Sequence, residues 1–187
     1  MGYNAKKAAQ TIAYFTLKGG EERLAVLKAI KLVYLADRES VSRHGFPIQD
    51  ESRVSMPNGP VNSQTYSHIQ GELDLAASGW SEFLRDREDH NLSLARPEIT
   101  VDDLDELSDA DIEVLDAVWA RFGGMGRFEL CDWTHSYDNV PEWEDPRGSS
   151  TPIPLERMMS HLNVPNYREQ AQLVKDFNRV DDLLRSL

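Results

Sequence analysis

The chain has 187 residues, 40 % of them hydrophobic and 28 % charged, with a net charge of −12 at pH 7 and a single cysteine. That length supports one well-formed core, and no apolar run reaches the roughly 18 residues a membrane-spanning helix needs. The acidity opposes a phosphate backbone, so direct nucleic-acid binding is not expected, and it suits either plain solubility or a basic protein partner met with a raised on-rate.

The N-terminus, MGYNAKKAAQTIAYF, lacks the apolar segment and cleavage site of a signal peptide, and Gly2 lacks the following Ser or Thr of a myristoylation motif. One cysteine, Cys131, excludes an internal disulfide and any cysteine-based zinc site. Both observations place the protein in the cytoplasm as an expectation.

Helical periodicity runs from Asn4 to about Leu17, where Lys18-Gly19-Gly20 stops it. A second, strongly apolar helix follows, with Glu21 and Glu22 in its first turn, Leu24, Leu27, Ile30, Val33, Tyr34, Leu35 and Val41 as its core side, and Arg43-His44-Gly45 at its end. Pro47 to Ser55 reads as an extended connection that can add a short strand. Pro57-Asn58-Gly59-Pro60 is then a turn, with Asn62-Ser63-Gln64 offering the N-cap of a helix whose stripe is Tyr66, Ile69, Leu73 and Ala76, ending at Ser78-Gly79.

Trp80–Arg85 and Asn91–Ala95 read as a β-hairpin around the charged run 86–90. Ser108 and Asp111 form a capping box for a helix carrying Ile112, Leu115, Val118, Trp119 and Phe122. Arg127 to Ser136 is a further short helix with Phe128, Leu130, Cys131 and Trp133 as burial candidates; 137–150 is a loop; 154–162 and 167–187 are the last two helices. The expected fold class is therefore mainly α (α+β), a compact helical domain spanning 1–187 with a small antiparallel hairpin or sheet. The final helix, 167–187, carries an apolar stripe that either packs internally or meets a partner.

The chemical motifs are sparse. His44, His68, His90, His135 and His161 are too dispersed for a local metal site, and no phosphate loop, nucleophile elbow or dinucleotide fingerprint occurs, so neither metal nor cofactor is expected. Cys131 and His135 stand at i, i+4 on one helix, which a small enzyme, a hydrolase or a nucleotide-modifying activity, could use together with Asp37. A lone cysteine among Phe128, Leu130 and Trp133 is also the ordinary content of a core. A basic face made of Lys28, Lys31, Arg38 and Arg43 would be required for a DNA-binding role.

The motifs K-L-V-Y-L-A-D (31–37), H-G-F-P-I (44–48) and G-P-V-N-S-Q-T-Y (59–66), followed by Leu107-Ser108-Asp109, Gly123, Leu130, Thr134-His135 and Trp143, resemble the Panacea domain, the SocA-like antitoxin family that includes phage-associated proteins. The resemblance covers about Leu24 to Trp143. One departure is Met56-Pro57, where relatives often carry a tryptophan three residues before G-P-V. The resemblance implies a non-enzymatic antitoxin of a toxin-antitoxin system that neutralises a cognate protein toxin by direct contact, and in some members delivers it to a protease. It carries over as family-motif and partner-binding candidates Lys31, Tyr34, Asp37, Gly59, Pro60, Val61, Tyr66, Thr134, His135 and Trp143, most of them expected to be scaffold.

Overall fold

In the computed structural model the described residues are 3–185. The elements are α1 (Ala5–Lys18), β1 (Arg23–Ala25), α2 (Val26–His44), β2 (Arg53–Met56), β3 (Gly59–Asn62), α3 (Ser63–Gln70), β4 (Asn91–Ser93), α4 (Asp109–Phe122), α5 (Arg127–Thr134), β5 (Thr151–Pro152), α6 (Leu155–His161) and α7 (Tyr167–Arg185). The fold is mainly α with two small antiparallel sheets, as expected from the helical periodicities.

Local chemistry sets most helix ends. Asn4 accepts from the Lys7 N–H at the start of α1, and Ser108 and Asp111 satisfy each other's backbone at the start of α4. Gly45 ends α2 in the left-handed conformation, φ 73°, with Arg43 and His44 in the last turn. α2 is the central helix. It packs against α1, α4, α5 and β3, and Ala29, Leu32, Val33 and Tyr34 are all at most 1 % exposed. Leu32 and Val33 each contribute about 1.5–3 kcal/mol by leaving water. Phe15 of α1 stacks on Trp119 of α4, ring centroids 6.1 Å apart, and locks the two outer helices over it.

The larger sheet has the order β3-β2-β5, with Val54 opposite Val61 and Ser55 opposite both Pro60 and Thr151. Pro57-Asn58-Gly59-Pro60 is thus more than a turn. Pro57 and Asn58 close a two-residue hairpin, while Gly59 and Pro60 already belong to its second strand. Pro60 is tolerated because β3 is the sheet edge, where a missing N–H costs no ladder bond.

Several expectations are corrected. Glu21 and Glu22 do not start α2: Arg23–Ala25 pairs with Asn91–Ser93, and Val26, the first helical residue, donates its N–H to the His90 carbonyl at 2.8 Å. The expected hairpin of Trp80–Arg85 with Asn91–Ala95 shrinks to isolated bridges, Leu84 with Leu94 and Glu88 with Asn91, because Trp80–Glu82 is a 3₁₀ turn and residues 91–93 pair elsewhere. α3 stops at Gly71, whose φ of 74° reverses the chain, so Leu73 lies outside the helix and 40 % exposed. Asn62 precedes α3 but makes no side-chain cap; its amide is drawn to Asp37 instead. Phe128, expected inside, is 65 % exposed. The last two residues of the helix expected over 167–187 lie outside the described residues.

α7 packs one side of its stripe, Ala171 and Val174, and leaves Leu173, Phe177, Val180, Leu183 and Leu184 exposed. Among the described residues no helix is long and apolar enough to cross a membrane.

Candidate functional site: the clamped hairpin and its groove

Between Met56 and Pro60 the β2–β3 turn presents four backbone carbonyls that side chains from three other parts of the chain take. Trp143 Nε1 donates to the Met56 carbonyl at 3.1 Å, His135 Nε2 meets the Pro57 carbonyl, Cys131 Sγ donates to the Asn58 carbonyl at 3.5 Å, and Lys31 Nζ donates to the Pro60 carbonyl at 3.0 Å. His135 also stands edge-on to Trp143, ring centroids 4.9 Å apart. A turn whose carbonyls are bonded from outside is held in one shape, and the groups holding it come from α2, α5 and the loop after α5.

Gly59 fits this clamp for two reasons. Its φ is +90°, and a Cβ there would lie 3.0 Å from both Lys31 Nζ and Thr134 Oγ1. Thr134, with no exposed surface, turns its hydroxyl back to the Cys131 carbonyl at 2.9 Å and so marks the wall against which the glycine is pressed. Gly59→Ala is expected to lower the unfolding free energy by about 1–3 kcal/mol, read as a shift in the urea midpoint, because strain and crowding act at one position. A shift below about 0.5 kcal/mol would mean that the turn yields freely.

Behind the hairpin lies a buried polar network. Asp37 Oδ2 accepts from Arg53 at 2.7 Å and from the Asn62 amide at 2.8 Å, and Oδ1 accepts from the Gln49 N–H at 2.8 Å. Burial pushes the Asp37 carboxyl above its ordinary range, while Arg53 and the other donors pull it back. Glu51 accepts the N–H and hydroxyl of Thr65, serving from another segment as the N-terminal cap that Asn62 does not provide; burial raises its pKa to about 7. Glu142 accepts from Tyr34 at 2.9 Å and Arg38 at 2.7 Å, and burial followed by that carboxylate raises the Tyr34 phenol far above its usual value.

The residues singled out in sequence therefore divide. Lys31, Gly59, Pro60, Thr134, His135 and Trp143 meet at the turn. Tyr34 and Asp37 belong to the network behind it. Val61 and Tyr66 line a groove of about 520 Å³ beside the turn, with Lys31, Ile30 and Met56 also in its wall. His90, Arg127 and the exposed Phe128 line it too. Arg53, Glu51, Asn62 and Glu142 were not anticipated. Each is polar, buried and distant in sequence from its partner, and the available signals were the place of Asn62 inside the 59–66 motif and the adjacency of Glu142 to Trp143.

The enzyme alternative does not assemble. Cys131 Sγ and His135 Nδ1 are 3.7 Å apart, but Asp37 is committed to Arg53, Asn62 and Gln49. Burial raises the Cys131 thiol pKa, the opposite of an activated nucleophile. Among the described residues no group of three or more His, Cys, Asp or Glu could hold a metal ion. A basic helix face is missing as well: Lys28 donates to the Gly123 carbonyl, Lys31 is buried, and Arg38 and Arg43 pair with Glu142 and Glu39.

Residues 30–143 match the model of the family described as antitoxin SocA-like, Panacea domain. The chain belongs to that family. The matched segment opens one residue before Lys31 and closes on Trp143, so the first and last side chains that hold the turn sit at the two ends of the Panacea domain. β5, α6 and α7 lie beyond it. No curated protein and no solved structure matches the chain.

Proposed function

We propose that the protein is an antitoxin that neutralises a cognate toxin by direct protein–protein contact, acting in the cytoplasm as one folded domain, with the groove beside the clamped hairpin as the contact surface. The observation that carries the role is membership of the SocA-like Panacea family over residues 30–143. Support for the surface comes from the groove itself: an apolar wall of Ile30, Val61 and Met56, held in shape by the family-motif residues, with Phe128 projecting 65 % exposed at its side. Aromatic side chains are enriched among the residues that anchor protein interfaces.

Co-expression with the product of the neighbouring gene tests the role: rescue of growth and a complex that survives gel filtration are expected, and absence of both rejects it. Phe128→Asp tests the surface. It is expected to weaken the toxin complex at least tenfold, about 1.4 kcal/mol, without lowering the unfolding midpoint, since an exposed side chain contributes little to the core. Unchanged affinity rejects the groove.

The stripe Leu173, Phe177, Val180 and Leu184 on α7 supports a second reading, with α7 as a partner-binding extension outside the family segment. Phe177→Asp with Val180→Asp would then weaken the complex where Phe128→Asp does not. Delivery of the toxin to a protease would add a shortened toxin half-life when the antitoxin is present.

A further inference from the structure

Lys31 is a buried cation whose surroundings differ from those of the buried Asp37 and Glu142 carboxylates. It is 1 % exposed and lines the groove, yet its ammonium, with three donors, makes a single hydrogen bond, to the Pro60 carbonyl. Asp37 has Arg53 and Glu142 has Arg38, whereas no carboxylate comes within ion-pair distance of Lys31 among the described residues; the ionisable group that acts on it is the Cys131 thiol. A buried cation without a counter-ion is costly unless something supplies one.

The groove is also the reverse of the chain as a whole. Against a net charge of −12, it carries Lys31 inside, and Arg127 and His90 in its lining, with no acidic residue in its wall. Arg127 lies over the exposed Phe128 ring, 4.9 Å from its centroid, so one cation and one aromatic face stand together there. An apolar wall with a buried ammonium and a guanidinium in its lining describes a site for an anion carried on an aliphatic body.

We propose that the groove recognises an acidic amphipathic segment of the toxin, with a Glu or Asp side chain placing its carboxylate on Lys31 Nζ between aliphatic neighbours that cover Ile30 and Val61. Two cations in one groove, Lys31 and Arg127, favour a segment that carries side-chain carboxylates. The proposal rests on the groove being the toxin-contact surface, and it names the chemistry that surface reads. The acidic exterior steers a basic toxin, while the groove demands that this toxin also present an acidic segment.

Peptides test this without the toxin. The probes are acetyl-Leu-Glu-Leu-Leu-amide, the same peptide with Gln for Glu, and the Gln peptide with a free C-terminal carboxylate, each titrated into the full chain by amide NMR. The Glu peptide is expected to bind at least tenfold more tightly than the Gln amide, with shifts at Val61 and Tyr66. Lys31→Met is expected to erase that difference. Arg127→Gln, at a lining position, is expected to reduce it two- to fivefold. Equal binding of the Glu and Gln amides to the unaltered protein overturns the proposal, even if Lys31→Met fails to fold; so does a difference that survives in Lys31→Met, and so does tightest binding by the free-carboxylate peptide, which would assign the site to chain ends. A protein that binds the Glu peptide but forms no toxin complex rejects the antitoxin reading alone. One that rescues growth but treats the Glu and Gln amides alike rejects the carboxylate alone.

Discussion

Asp37→Ala is expected to lower the unfolding free energy by about 3–5 kcal/mol, the largest effect of any single change considered. The substitution leaves the Arg53 guanidinium, 4 % exposed, without its anion, and leaves the Asn62 amide and Gln49 N–H without their acceptor. Removing one partner of a buried pair costs far more than the pair contributes, because the remaining charge stays out of water. The damage should be localised. Asp37 lies on α2, while Arg53 and Asn62 lie opposite each other at the open end of the β2–β3 hairpin, so the carboxylate ties the hairpin to the central helix. Asp37→Leu combined with Arg53→Met is expected to recover part of the loss, since it removes the unpaired buried charge while the Asn62 amide and the Gln49 N–H still lack their acceptor. Urea unfolding of the three proteins reads this directly; a loss under about 1 kcal/mol for Asp37→Ala would show that the hairpin is held by other means.

Lys31→Met is expected to act in the opposite direction. Burial lowers the lysine pKa from 10.5 to about 8, so folding is disfavoured whenever the amine must be charged. That disadvantage is complete below pH 8, shrinks as pH rises from 8 to 10.5, and is absent above it. The shift corresponds to roughly 3 kcal/mol at neutral pH, and loss of the charged hydrogen bond to Pro60 returns about 1–2. A net gain of about 1–2 kcal/mol at pH 7 is expected, fading to nothing or reversing by pH 10.5. A variant that is more stable yet loses its preference for the Glu peptide would mark Lys31 as a residue retained for recognition at the expense of the fold. Equal stability of the two proteins across pH 7–10.5 would show that the amine is solvated in the native state.

The helices were legible because their signals are local: Asn4, Gly45 and the Ser108–Asp111 box act within four residues. The strands were not, because a three- or four-residue strand is defined by its partner. Nothing within Arg23–Ala25 reveals that residues 91–93 lie beside it, and Pro57-Asn58-Gly59-Pro60 reads as a turn throughout, although Gly59 and Pro60 open an edge strand in which Pro60 is acceptable. The same distinction governs the site. Motif order located Lys31, Gly59, His135 and Trp143, but their common purpose, holding one turn, exists only in three dimensions. Arg38, next to Asp37 in sequence, pairs with Glu142, and Arg53 holds Asp37 because the hairpin brings it to α2. Phe128 was read as core from its neighbours Leu130 and Cys131, although α5 is short and buries only one side.

The span of the clamp has a consequence for the order in which the protein is built. Met56, Pro57 and Asn58 wait for partners 87, 78 and 73 residues further along the chain. At about 5–20 residues per second on a ribosome, some 4–17 seconds separate synthesis of the hairpin from synthesis of Trp143. During that interval the turn carbonyls have only water and Lys31 to bond, and the groove lacks its α5 wall. Competence to receive a partner therefore arrives late, when the far end of the Panacea segment closes onto its middle, and a chain interrupted before Trp143 would carry the family motifs without the surface they build.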